Sequence, residues 1–231
     1  MKSLFVAAAV AAVAVSAVFS SKAFAADSAG KFEGVSFYGA TGYQKTSSDF
    51  GEVFVVGTNA DTGVAMRSAS NNKIPAIIGL SYGFKLADKF VTTIGTDYNF
   101  VSSTLTTTTT TNTLVGNLKI NNRYNLYVAP GFEITPSDLV YVKLAYTRMR
   151  TSLSAATTAG VALSATGGPS NNGLLYGVGY KRVFSDNLYG FTEYSYTKHS
   201  SGVGTNLANN VYSNTGDITT NSFLVGVGYK F

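Results

Sequence analysis

From residue 35 onward, apolar residues alternate with small or polar ones at a period of two, the pattern of strands whose two faces meet different surroundings. In the first run, Val35 to Tyr43, Val35, Phe37 and Tyr43 share one face and Ser36, Tyr38, Ala40 and Gly42 the other. The second, Ala76 to Leu86, sets Ile78, Leu80, Tyr82 and Phe84 against Gly79, Ser81, Gly83 and Lys85. Six more runs follow, at 90–100, 123–134, 140–147, 174–184, 188–197 and 221–231. Most are about 9–13 residues long, enough for a tilted strand to cross a bilayer and well beyond the usual soluble strand.

The connections take turns in length. Ala87-Asp88-Lys89, Thr135-Pro136-Ser137-Asp138 and Ser185-Asp186-Asn187 are tight turns. The other four, 46–73, 102–118, 151–172 and 199–218, are long and rich in Ser, Thr, Asn, Gly and Ala. Short turns at one end and long loops at the other predict an eight-stranded antiparallel up-and-down transmembrane β-barrel, all-β, over residues 26–231. In hydrocarbon every backbone N–H and C=O needs a partner within the protein, and a sheet supplies them all only by closing on itself. The main risk to the strand count is Glu52-Val-Phe-Val-Val56 in the first long connection, which could add barrel height outside the membrane or a hairpin.

A secreted soluble barrel of the lipocalin type also alternates, with its apolar face inward. Here the better-filled face carries Tyr, Phe, Val and Leu, while the other carries Gly, Ala, Ser and nearly all the mid-strand charge. Small residues suit a narrow interior, and Tyr near the strand ends suits an interfacial girdle, so the membrane barrel is favoured. Composition agrees: charged residues are 13% of the chain, about half the usual share, while aromatics reach 13%. The absence of Cys excludes disulfide scaffolds, thiol catalysis and Cys-held metals, and a single His excludes a His-rich metal site. No cofactor is expected, since Gly177-Val-Gly179 and Gly226-Val-Gly228 lie inside strands rather than in nucleotide loops.

Met1-Lys2-Ser3 is a short basic start, Leu4 to Phe19 is apolar apart from Ser16, and Ala23-Phe24-Ala25 is a small-x-small cleavage site. Residues 1–25 therefore read as a secretory signal peptide; a membrane anchor is the alternative, but the run is short for a span of about 20 residues. Removal of Lys2 and Lys22 lowers the formal charge of +5 by two, leaving too little basicity to argue for nucleic acid.

The ending Ser222-Phe-Leu-Val-Gly-Val-Gly-Tyr-Lys-Phe231 resembles the terminal strand of Gram-negative outer-membrane proteins. Gly173-Leu-Leu-Tyr-Gly-Val-Gly-Tyr180 and Phe191-Thr-Glu-Tyr-Ser-Tyr196 resemble the sixth and seventh strands of the opacity/OmpA-like eight-stranded barrels. The resemblance covers the strands and not the loops. It implies delivery by periplasmic chaperones and insertion by the barrel-assembly machinery, with Phe223, Val225, Val227, Tyr229 and Phe231 as the assembly signal. It also implies a surface protein that meets a host or surface ligand through its loops. The sequence stops at Phe231, so the peptidoglycan-binding domain of two-domain relatives is not expected.

The inward parity set contains Lys85, Asp97, Arg123, Glu133, Lys143, Lys181, Glu193 and Lys230. Glu133 and Lys143 flank one short turn, Lys181 and Glu193 the next, and each pair is predicted to meet diagonally across neighbouring strands. Unpaired, such charges would cost several kcal/mol each. The lumen is thus expected to be closed by an ionic network, with a narrow, slightly anion-favouring pore as the alternative. Arg148, Arg150 and Lys198 share the outward parity at the long-loop end, where they either snorkel into water or bind the phosphates of lipopolysaccharide. Thr106 to Thr111 is a polar tract, either a strand extension or a surface loop. His199 and Ser201 superficially resemble the site of lipid A-modifying barrels. Asp217 is the only later carboxylate side chain, however, and Lys198-His-Ser-Ser-Gly202 reads as a solvated loop entrance, so no enzyme is expected.

Overall fold

The computed structural model describes residues 30–55, 64–65, 67–108, 114–157, 162–164, 170–200, 205–207 and 211–231. Eight long strands dominate: β1 (Gly34–Val55), β2 (Ala76–Ala87), β3 (Phe90–Asn99), β4 (Leu114–Thr135), β5 (Asp138–Thr157), β6 (Ser170–Val183), β7 (Leu188–His199) and β8 (Val211–Lys230). Each pairs antiparallel with its sequence neighbours, and β8 pairs with β1 from Ser36↔Lys230 to Val55↔Val211, closing the sheet. Following rungs from Lys45 through Asn221, Tyr196, Tyr176, Leu144, Val128, Ile94 and Tyr82 returns to β1 at Val35, ten residues below the start. That stagger around eight strands, at ordinary strand spacings, tilts them by about 40°.

The alternation sorts faces as the membrane requires. On β4, Leu126 is 66% exposed on the outside while Asn125 beside it is 3% exposed in the lumen. Leu80, Ile94, Leu144, Val178 and Val227 likewise stand outside. Aromatics bracket this band, with Phe84, Phe90, Phe132 and Tyr229 toward the short turns and Tyr43, Tyr124, Tyr146 and Tyr196 toward the long connections.

Above the upper aromatic row the sense inverts. Leu105, Leu118, Met149 and Ile218 are all buried, while Lys119, Arg148 and Arg150 are exposed. An irregularity between Ile120 and Arg123 shifts the inward parity of β4 from even to odd at this level. The flip has a simple cause. In lipid the apolar face must look out, whereas in water it must look in.

Much of what the alternation leaves as loop is therefore sheet. β1 runs on to Val55, taking in Glu52 to Val55, and β4, β5 and β8 extend similarly. Two short strands continue β2 and β3 upward: Ala69–Lys73 pairs with β1, and Ser103–Thr108, which includes the start of the Thr tract, pairs with β4. The Asn71 side chain donates to Thr104 O at 2.7 Å, tying these two together. Polar residues on the outer face erase the hydrophobic contrast there, which is why the period-two signal fades although the strands do not. The leader read at residues 1–25, Thr109 to Thr111 and Ser201 lie outside the described residues.

The lower lumen is filled by rings as well as by small residues. Tyr38, Tyr127, Tyr141, Tyr189 and Phe191 point inward, each directly opposite a glycine of the adjacent strand: Gly79, Gly95, Gly179, Gly228 and Gly226. A Cβ on Gly179 would lie 2.3 Å from the Tyr141 ring, and one on Gly79 2.1 Å from Tyr38. Gly179→Val should therefore displace Tyr141 and destabilise the barrel by about 1–3 kcal/mol. Urea unfolding in lipid vesicles checks this, with the outward Val178→Leu change as a near-neutral control.

Candidate functional site

The strand tilt brings three ionised side chains from alternate strands to the lumen axis. Lys143 on β5 places Nζ 3.1 Å from Asp97 Oδ2 on β3 and 3.2 Å from Glu193 Oε1 on β7. The remaining oxygens are also engaged: the Asn125 amide donates to Asp97 Oδ1 and the Tyr141 hydroxyl to Glu193 Oε2 at 3.1 Å. The Tyr38 hydroxyl adds a donor to Asp97 Oδ2 at 3.3 Å, and the Lys143 ammonium sits 4.4 Å from the centroid of the Tyr127 ring. All three charged side chains are nearly inaccessible. Desolvating such ions costs several kcal/mol apiece, so the full set of partners is what makes the cluster tolerable in the interior.

The predicted pairing was between hairpin neighbours; the observed pairing crosses the lumen. Glu133 sits opposite Leu139, four residues below Lys143 along β5, and is partly exposed at the short-turn rim. Lys181 does not form an ion pair with Glu193 but lies 4.7 Å from the Tyr189 ring centroid. Arg123 lies above the triplet and donates from Nη2 to Gln44 Oε1 at 3.2 Å. Lys85 is exposed at the lower mouth, and Lys230 reaches Gly30 O at 3.0 Å. Rungs climb around a tilted barrel, so residues at one height belong to different rungs; hairpin register alone cannot give these partners. Tyr38, Gln44, Asn125, Tyr127 and Tyr141 complete the site, and their inward parity was the signal available for them.

The mouth below is crossed by the residues before β1. Phe32 is buried among the lumen rings, and Lys31 Nζ reaches Ser137 Oγ in the β4–β5 turn at 3.0 Å. Between this cork and the ion triplet lies a cavity of about 30 Å³ lined in part by Tyr127, Tyr141, Lys181 and Glu193, room for about two waters. Above the triplet the lumen is polar: Gln44, Thr46, Asn99, Thr147, Thr197, Thr220 and Ser222 are buried there.

His199 corrects the expectation of a solvated loop entrance. It is fully buried, with Nε2 3.2 Å from Thr147 Oγ1, because it is an inward residue of a strand that continues above the membrane. On the outside, Arg148 and Arg150 are exposed beside one another on β5. Lys198 is tied to Asp217 at 2.7 Å, so it presents no free cation. Phe223, Val225, Val227 and Tyr229 face outward along β8, and Phe231 N donates to Val35 O at 2.9 Å.

Residues 11–231 match the family model described as the outer membrane protein beta-barrel domain. Among solved structures the chain is similar to the outer membrane protein AlkL, determined in DMPC lipid bilayers, at 11% identity and a TM-score of 0.52, covering 91% of this chain and 96% of that one. OprG from Pseudomonas aeruginosa is 14% identical with a TM-score of 0.48, over 88% and 99% of the two chains. Ail of Yersinia pestis, in complex with the heparin analogue sucrose octasulfate, is 16% identical with a TM-score of 0.42, over 86% and 99%. Likeness at these identities concerns the fold alone. No relative is found among curated proteins.

The triplet makes a specific energetic prediction. Lys143→Met leaves two buried carboxylates facing each other and should cost about 3–5 kcal/mol of stability. The triple variant Lys143→Met, Asp97→Asn, Glu193→Gln should recover most of that loss, measured by urea unfolding in vesicles.

Proposed function

Because the chain belongs to the outer membrane protein β-barrel family and resides in the Gram-negative outer membrane, we propose that it is a surface barrel with a closed lumen, acting through its outer rim. The observation that carries this reading is the Asp97–Lys143–Glu193 bridge, in which each carboxylate oxygen has a partner and Phe32 backs the bridge from below. Residues 1–25 direct export, and the outward apolar stripe from Phe223 to Phe231 is the segment the assembly machinery and its chaperones take hold of. The described rim is the interaction surface for a host or surface ligand. No catalysis is assigned: among the described residues the side-chain hydrogen-bond partner of His199 is Thr147, and the ring lies inside the lumen.

Single-channel recording of the refolded protein in planar bilayers tests the closed lumen. Silence in wild type supports it, and resolved steps in wild type overturn it. A small pore is the second reading, favoured by the cavity below the bridge and the polar layer above it. In that case Lys143→Ala or Glu193→Ala opens steps well above the wild-type level.

Arg148 and Arg150 support a phosphate contact with lipopolysaccharide, as both guanidinium groups project just above the upper aromatic row. Lys198 contributes less, being neutralised by Asp217. Arg148→Ala with Arg150→Ala should weaken lipopolysaccharide retention several-fold and lower the unfolding midpoint in lipopolysaccharide-containing vesicles only. Equal behaviour in both lipids sinks the contact.

A further inference from the structure

Arg148 and Arg150 stand two residues apart on the outer face of β5, about 7 Å along the strand. Both are exposed, and neither forms an ion pair with another of the described residues. Two like charges at that spacing repel, and a shared anion relieves the repulsion. Lys198 differs in having its own carboxylate, Asp217.

The rung through Arg148 gives the pair its chemical setting. Across β3, β4, β5 and β6 it reads Tyr98, Tyr124, Arg148 and Asn172. Tyr124 is 53% exposed, and Asn172 is exposed beside Arg148. Rungs climb from β3 to β6 in this barrel, so the tyrosine end lies in the upper aromatic row and the Arg148–Asn172 end just above it. The Tyr98 and Tyr124 ring centroids are 4.7 Å apart, and Phe100 packs edge-on against Tyr98 at 4.5 Å, which steadies the aromatic end. Two residues lower, the next outward rung is Leu126, Tyr146 and Leu174, all exposed. From the bilayer upward the sector therefore presents an apolar row, a pair of rings, a guanidinium beside a carboxamide, and a second guanidinium. Tyr124 and Asn172 are two strand spacings apart, about 10 Å, the scale of one sugar ring with its phosphate. The C–H face of a pyranose packs on the negative face of an aromatic ring, a carboxamide both donates to and accepts from hydroxyl and amide groups, and a guanidinium grips phosphate as a fork. A diacyl phosphate lipid would use only the last of these.

We propose that this sector binds the phosphorylated amino-sugar head of an outer-leaflet glycolipid, with Arg148 and Arg150 on the phosphate, Tyr124 against the sugar ring and Asn172 on its amide or hydroxyl groups. The site rests on the phosphate contact argued above and adds to it a means of reading the sugar.

Two probe lipids separate sugar from phosphate: monophosphoryl lipid A, and phosphatidic acid, which carries a phosphomonoester without a sugar. Each is mixed at equal mole fraction into phosphatidylcholine vesicles with the refolded chain, and the probe retained per barrel after exchange into detergent is counted. Wild type should retain several-fold more monophosphoryl lipid A than phosphatidic acid. Tyr124→Leu and Asn172→Ala should each reduce that preference while holding phosphatidic acid as wild type does, and Tyr43→Leu, which alters the aromatic row in another sector, should leave it intact. A wild type without the preference, or an undiminished preference in both Tyr124→Leu and Asn172→Ala, overturns the sugar site and leaves the phosphate contact standing. If Arg148→Ala with Arg150→Ala retains both lipids like wild type, the phosphate contact fails and the sugar site falls with it.

Discussion

The structure depends on the closing ladder between β1 and β8. Within hydrocarbon an unpaired backbone group costs several kcal/mol, and an open sheet would carry two whole edges of them. Closure from Ser36↔Lys230 upward removes both edges. The stagger that closure imposes then sets the tilt, the tilt sets which side chains share a height, and those heights decide the chemistry of the lumen. Asp97, Lys143 and Glu193 meet because alternate strands deliver them to one level, although no two of them lie on adjacent strands.

The lumen is layered by this geometry. Rings seated on opposing glycines fill the bottom, a fully partnered ion triplet occupies the middle, a polar layer follows, and an apolar cap of Leu105, Leu118, Met149 and Ile218 lies above. Each layer stabilises the next. Tyr38 and Tyr141 belong to the ring layer through their bodies and to the ion layer through their hydroxyls, so packing and polar satisfaction are coupled in the same residues.

The eight crossings, their faces and the short turns were legible in the sequence because lipid and lumen impose opposite polarity on successive residues. Leu126 beside Asn125 is the plainest case. The strand extensions are hidden where the outer surroundings change to water, so that Leu105 and Leu118 turn inward within a segment that reads as loop. The charged lumen residues were also legible as a set, since parity alone assigns them. Their partners were not, because parity holds no information about stagger. Lys143 looked like the partner of Glu133 across a hairpin, yet it bridges two carboxylates delivered by strands on either side of its neighbours. His199 was misplaced for a related reason: loop-like composition masked a strand that continues inward-facing.

The central claim is the sorting of faces, and the chain's lack of cysteine allows a clean measurement of it. Spin labels placed singly at Leu126, Leu144 and Val227, and at Asn125, Ala145 and Ser222, can be compared in lipid vesicles for collision with oxygen and with a water-soluble nickel chelate. The first three should show high oxygen contact, with a maximum at mid-bilayer, and the second three should be shielded from oxygen. Equal oxygen contact in the two sets, or a reversed order, would contradict the account.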